Sequence, residues 1–218
     1  MPRKPVPKRE ASVSAAETDV ATSATSATSA TSATSATSAS PSSPGKWTGL
    51  IYFVISQIGW FACVLGAAHG VPSVGVAVTL AIVIWHLLRV PRPRYELKML
   101  LAVIAIGGVW ESALVDLGLL IYPNGILLPW TAPYWMLALW ALFAVTLNTT
   151  FNWLKGRPLL AAILGALSGP LSFSAGARLG AVQFHPPHLA LLALAIGWAM
   201  LIPAVLAIAN HWDGTRSS

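Results

Sequence analysis

The chain has 218 residues, of which 56% are apolar and only 9% charged, and its 13 basic and 7 acidic side chains leave a net charge of +6. An ordinary soluble domain carries about 25% charged residues, so this composition cannot cover a soluble surface and points to an integral membrane protein. A lone cysteine, Cys63, excludes a disulfide scaffold, and the basic residues are too few and scattered for a nucleic-acid-binding face.

Residues 1–46 differ from the rest of the chain. They hold five basic residues (Arg3, Lys4, Lys8, Arg9, Lys46) and three acidic ones (Glu10, Glu17, Asp19). Residues 22–39 are six copies of Thr-Ser-Ala. A period of three fits neither helix nor strand. Without large apolar side chains nothing offsets the entropy of ordering, so a disordered low-complexity tail is expected. No apolar stretch follows the basic start before Leu50, so the tail does not read as a secretory signal. Its three acids and lack of leucine also fit a transit peptide poorly.

From Trp47 onward the chain is apolar. About 20 such residues cross a ~30 Å hydrocarbon core. Six spans are expected: Gly49–His69, Ser73–Leu88, Leu97–Tyr122, Pro133–Leu154, Pro158–Leu179 and Leu189–Ile208. Gly and Pro clusters separate them. The fold class is therefore all-α, a polytopic transmembrane bundle of six helices behind a disordered tail. Its membrane domain covers 47–210, and 211–218 form a short C-terminus.

Placing both termini in the cytoplasm puts twelve of the thirteen basic residues on that side and leaves Arg178 alone on the other. The positive-inside rule favours this orientation. Trp130, Tyr134 and Trp135 are then expected at the outer interface, and Trp47, Trp85, Trp153 and Trp212 at the inner one. Small residues recur at helical spacing: Ser56, Gly59, Cys63, Gly66 and Gly70 on the first span, and Gly165-x-x-x-Gly169 on the fifth. Such stripes let helix backbones approach closely in lipid. Pro170 is expected to kink the fifth span and free a carbonyl.

Ionisable groups inside the membrane cost about 2.5–3.5 kcal/mol each on insertion scales, so each needs a reason. The third span carries Glu111 and Asp116. They lie about 7.5 Å apart along the axis and point about 140° apart, so they are not a paired acid and base. Ser112 shares a face with Asp116. Arg178 is the simplest partner for Asp116, as a structural pair or half of an anion site. Asn148 and Asn152, four apart on the fourth span, can bond Glu111 or Gln57 or line a polar notch. Glu111, Ser112, Asp116, Asn148, Asn152, Arg178 and Gln57 thus form the candidate polar site. His69, His185 and His188 lack metal-site spacing, so no metal is expected. No phosphate loop, dinucleotide fingerprint or nucleophile elbow is present, so no cofactor is expected and enzymatic activity is disfavoured.

Several motifs carry a resemblance. They are Pro133-Tyr134-Trp135-Met136, Leu139-Trp140, Phe143-Ala144 and Thr146-Leu147-Asn148 in the fourth span, and Gly169-Pro170-Leu171-Ser172-Phe173 in the fifth. Gln57, Gly59-Trp60-Phe61 and Glu111-Ser112 add to it. Over residues 47–208 the chain resembles the bacterial inner-membrane family catalogued as domain of unknown function 2878. The resemblance implies a multi-pass inner-membrane protein of a Gram-negative bacterium and brings no established activity. Genes of that family often neighbour ones for fatty-acyl modification and stress response.

Three functions are expected. The first is an accessory or interaction component linked to envelope lipid homeostasis or stress, in company with the lipid bilayer and a partner membrane protein or second copy. The second is an intramembrane lipid-modifying enzyme with Glu111 as acid or base, which requires Glu111, Asn148 and Asn152 to converge. The third is a small proton-coupled carrier using Glu111, although spans 1–3 and 4–6 show no convincing similarity to each other.

Overall fold

Each apolar run between turn residues folds as a helix. A computed structural model describes residues 46–216, so the expected disordered tail lies outside the described residues. The helices are α1 (Lys46–Ala68), α2 (Pro72–Leu87), α3 (Pro93–Asp116), α4 (Tyr134–Leu147), α5 (Pro158–Arg178) and α6 (Pro187–His211). Two short strands, β1 (Leu120–Ile121) and β2 (Gln183–Phe184), pair antiparallel. Helices α1, α3, α5 and α6 are long and apolar enough to cross a membrane, while α2 and α4 are shorter. The chain is a helical membrane protein.

Three expected boundaries move. The third helix begins at Pro93, so Arg94, Glu96 and Lys98 lie in its first turns and not in a loop. It stops at Asp116 because Gly118 takes a positive φ of 68°, the usual way to end a helix with a glycine just past its cap. Gly118 N–H bonds the Val115 carbonyl and Leu119 N–H bonds the Leu114 carbonyl, which redirects the chain into β1. The fourth helix ends at Leu147, and a 3-10 turn over Asn152–Leu154 replaces its last part. The local cause is side-chain competition for the backbone. Thr146 Oγ1 donates to the Phe143 carbonyl and Thr149 Oγ1 to the Val145 carbonyl.

The end of α5 repeats the end of α3. Ser112-Ala113 and Leu117-Gly118 correspond to Ser174-Ala175 and Leu179-Gly180. Gly180 likewise has a positive φ, 88°. The strand after each cap meets the other, with Leu120 opposite Phe184 and Ile121 opposite Gln183. Cap bonds satisfy the carbonyls at both helix ends, and one small ladder pairs the segments that follow them.

Helix α4 lies at the centre and contacts α1, α2, α3 and α6. Trp135, Met136, Trp140, Ala144, Val145 and Leu147 on it are buried. Burial inside protein explains why a helix of about 21 Å, shorter than the hydrocarbon core, is tolerated there. Small residues set the close pairs. A methyl on Gly75 of α2 would sit 2.3 Å from the Cys63 Cα of α1, so these two backbones nearly touch. On α5, Gly165 and Gly169 form a seat for Trp198 of α6, where an added methyl would meet the Trp198 carbonyl at 2.2 Å and its ring at 2.4 Å. Gly107 of α3 leaves the same room for the Trp140 ring.

Candidate functional site

The seated rings of Trp140 and Trp198 help to wall a cavity of about 280 Å³. Trp135, Trp140 and Phe143 come from α4, Phe173 from α5 and Trp198 from α6. The Trp140 and Trp198 rings stack at 5.2 Å. Along α4 the lining runs from Trp135 to Thr146, about 16 Å at helical rise. The lining is mostly apolar, and the cavity is elongated along the helix. Its exposed lining residues, Phe53 and Gln57 of α1 and Ser168 and Ser172 of α5, place its mouth between those two helices. Gln57, Ser168 and Ser172 have no side-chain hydrogen bond to any described residue, although all three lie within long apolar helices.

Glu111 lines this cavity and is fully buried. Tyr122, just beyond β1, donates its hydroxyl to Glu111 Oε2 at 3.1 Å. Among the described residues Glu111 Oε1 has no partner. Trp198 also lines the cavity, and its indole Nε1 is buried without an acceptor among the described residues. Buried polar atoms are nearly always hydrogen-bonded, and each one left unmade costs about 1–3 kcal/mol. Two lining side chains that each carry an orphaned polar atom make that cavity a binding-site candidate.

A second buried carboxylate, Glu96, is fully used. His86 Nε2 lies 2.8 Å from its Oε1 and donates to it, and His86 Nδ1 is hydrogen-bonded to the Tyr52 hydroxyl at 3.0 Å. Glu96 Oε2 accepts from Asn148 Nδ2 at 2.8 Å and from the Gly214 N–H at 3.0 Å. Lys155 Nζ bridges onward, 2.7 Å from Asn148 Oδ1 and 2.7 Å from Asp213 Oδ2. Thr215 and Arg216 also bond the Asp213 carboxylate. Burial pushes the Asp213 carboxyl up, but its bonds to Lys155 and Thr215 outweigh this and hold it below its ordinary value. This network joins α1, α2, α3, the end of α4 and the C-terminal segment. It is a structural tie, since both Glu96 oxygens are already committed.

The expected polar site therefore divides. Glu111 and Gln57 line one cavity. Asn148 belongs to the Glu96 network. Glu96 and Glu111 are fifteen residues apart on the unbroken α3, about 22 Å at helical rise. Asn148 therefore does not reach Glu111, and Asn152 is exposed on the 3-10 turn beyond it. The convergence required of a Glu111–asparagine enzyme does not occur. Ser112 Oγ instead accepts the Ala132 N–H at 2.9 Å and pins the segment before α4. Asp116 and Arg178 are both exposed, and no ion pair joins them among the described residues. Each is the last residue of its helix. Trp135, expected at an interface, is buried with its Nε1 bonded to the Asn124 carbonyl at 3.0 Å.

Sequence reasoning missed Tyr122, Glu96, His86, Lys155 and Asp213. A signal existed for Glu96 alone, a carboxylate just before an apolar helical run, but it reads as an ordinary loop charge.

A family model described as Protein of unknown function (DUF2878) matches residues 49–204. No curated protein and no solved structure matches the chain.

Proposed function

The chain belongs to the family of domain of unknown function 2878, and on that premise we propose that it binds an apolar small molecule taken from the surrounding bilayer. The observation that carries this reading is Glu111, buried at an aromatic-lined cavity with one oxygen unpartnered among the described residues. A carboxyl at membrane depth costs several kcal/mol, so it is kept where it has a task. Polar side chains at the α1–α5 mouth support entry from the side. The protein acts in this reading as an accessory component of the bacterial inner membrane, supplying or sensing a lipid-like guest.

Its orientation in this reading has both termini in the cytoplasm. The distribution of twelve of thirteen basic residues supports this. So do the contacts of Arg92 and Lys155, from the two basic loop regions, with Asp213 near the C-terminus. They gather the basic segments at one end of the bundle.

The test is extraction of the full chain from native membranes in polymer discs, with identification of the small molecules that co-purify. One apolar guest per chain is expected. A Ser172→Trp variant, which fills the mouth, should lose it while retaining the wild-type helical circular dichroism. Recovery of bulk lipid only, equal in both proteins, would sink the reading.

A further inference from the structure

Residues 89–98, the turn between α2 and α3 with the first turns of α3, hold four cations, Arg89, Arg92, Arg94 and Lys98, and one acid, Glu96. Glu96 is fully buried and bonded inward to His86, Asn148 and Gly214. The outer face of the stretch therefore carries cations alone. Among the described residues no ion pair joins any of the four to a carboxylate, and Arg89, Arg94 and Lys98 are exposed. Four like charges within ten residues repel one another, and an anion from outside relieves this. Aromatic rings already hold three of them. The Arg89 guanidinium lies 4.7 Å over the Trp85 ring, and Arg92 and Lys98 lie 5.4 Å and 5.7 Å over the Tyr95 ring. Pro91 and Pro93 fix φ within the turn. Little freedom is left to lose when a ligand binds.

From this we infer that the α2–α3 turn is a binding surface for an anionic phospholipid, with Arg89, Arg94 and Lys98 taking its phosphate. A guanidinium suits this task because its fork matches two phosphate oxygens at once. Two observations favour a lipid over a soluble phosphate. Leu88, Tyr95 and Leu97 are exposed among the cations, so the surface is amphiphilic, as a lipid is and a free phosphate is not. Helix α2 has 16 residues, about 24 Å at helical rise, which is less than the ~30 Å hydrocarbon core. Lipid beside so short a helix thins, and flanking charged side chains reach for its headgroups. Arg89 stands two residues past the end of α2, where those headgroups are drawn down. The surface is separate from the aromatic cavity. Glu111 lies thirteen residues beyond Lys98 on α3, about 20 Å at helical rise, so neither reading depends on the other.

Native mass spectrometry of the full chain, released from mixed micelles of phosphatidylglycerol and phosphatidylcholine with matched acyl chains, counts the lipids that stay bound. The wild-type protein should retain phosphatidylglycerol at least tenfold over phosphatidylcholine. Each cation near a membrane surface is worth about fivefold in affinity for anionic lipid. The triple variant Arg89→Gln, Lys98→Gln and Arg94→Gln should therefore lose nearly all of the preference. A control that neutralises the exposed Arg157 and Arg178 should keep it. Arg89→Lys with Arg94→Lys preserves the charge but not the fork, and should lose several-fold. Equal retention by the triple variant, with its helical circular dichroism intact, overturns the inference and leaves these cations a role in orientation alone. Equal loss in the triple variant and the control, or no loss in the Lys pair, also overturns it, because either outcome reports diffuse attraction and no built surface. Displacement of the bound lipid by excess soluble glycerol phosphate assigns the surface to a free phosphate and overturns the lipid. The comparison of the two lipids on the wild-type chain needs no variant, so a misfolded substitution does not decide the result.

Discussion

Glycine at position 75 permits an approach that no other residue allows. A methyl there would lie 2.3 Å from the Cys63 Cα and 2.6 Å from its N, and backbone cannot step aside as a side-chain tip can. Gly75→Ala should therefore force α1 and α2 apart. Overpacking of this kind costs about 1–3 kcal/mol. Thermal unfolding in detergent, read by tryptophan fluorescence, should show a clear fall in midpoint; an unchanged midpoint would refute the close approach. The same scale separates the two buried carboxylates. Glu111 was legible as an ionisable residue within an apolar run, and Gln57 as an amide within another. Their contacts were not legible. Tyr122 reaches Glu111 only because Gly118 turns the chain after α3.

Among the elements, the junction of α3, α4 and the C-terminal segment depends on Glu96. Glu96→Ala would leave the buried His86, Asn148 and Gly214 donors without their acceptor. At about 1–3 kcal/mol for each orphan, the loss should be about 3 kcal/mol or more. It should exceed that of Asp116→Ala, because Asp116 is exposed. Comparing the two in one denaturant series checks this; equal midpoints would refute the tie.

The Asp213 contacts add a pH dependence. Its carboxyl is held below the ordinary 3.8, so its contribution is fully present above about pH 4 and lost as pH falls through the lower folded value. Hydrogen exchange at the Thr215 amide, which donates to Asp213 Oδ1, should stay protected through neutral pH after correction for intrinsic rate and lose protection in acid. Asp213→Asn should lower protection across the whole range. Protection that ignores both pH and the substitution would remove Asp213 from the tie. None of this was visible in sequence. Glu96 and Gly214 stand 118 positions apart, and each charge in the set resembles ordinary loop decoration. The helices themselves were legible because apolar runs bounded by Gly and Pro leave few alternatives. The early end of α4 was not, since Asn148, Thr149 and Thr150 look like tolerable polar residues until their bonds are known.

For the whole molecule, a fluorescent-protein fusion at the C-terminus should glow, because that reporter folds in the cytoplasm and not after export through the general secretory route. A dark fusion with activity from a periplasmic phosphatase at the same site would reverse the proposed orientation. The resemblance drawn from the Gly169-Pro170-Leu171-Ser172 run and its companions agrees with the family match over 49–204. The mechanical role of that run emerges only in three dimensions. Gly169 seats Trp198, and Ser172 stands at the cavity mouth.

Helix lengths give the molecule an uneven waist. Helix α2 has 16 residues and α6 has 25, about 24 Å against about 37 Å at helical rise. Unlike α4, α2 is not enclosed; Val74, Leu80 and Ile84 are exposed along it. Lipid beside α2 must thin or the protein must tilt, while lipid beside α6 is stretched or α6 leans. The protein therefore carries a thickness gradient around its own perimeter. A bilayer bends least when the short side meets short or disordered chains.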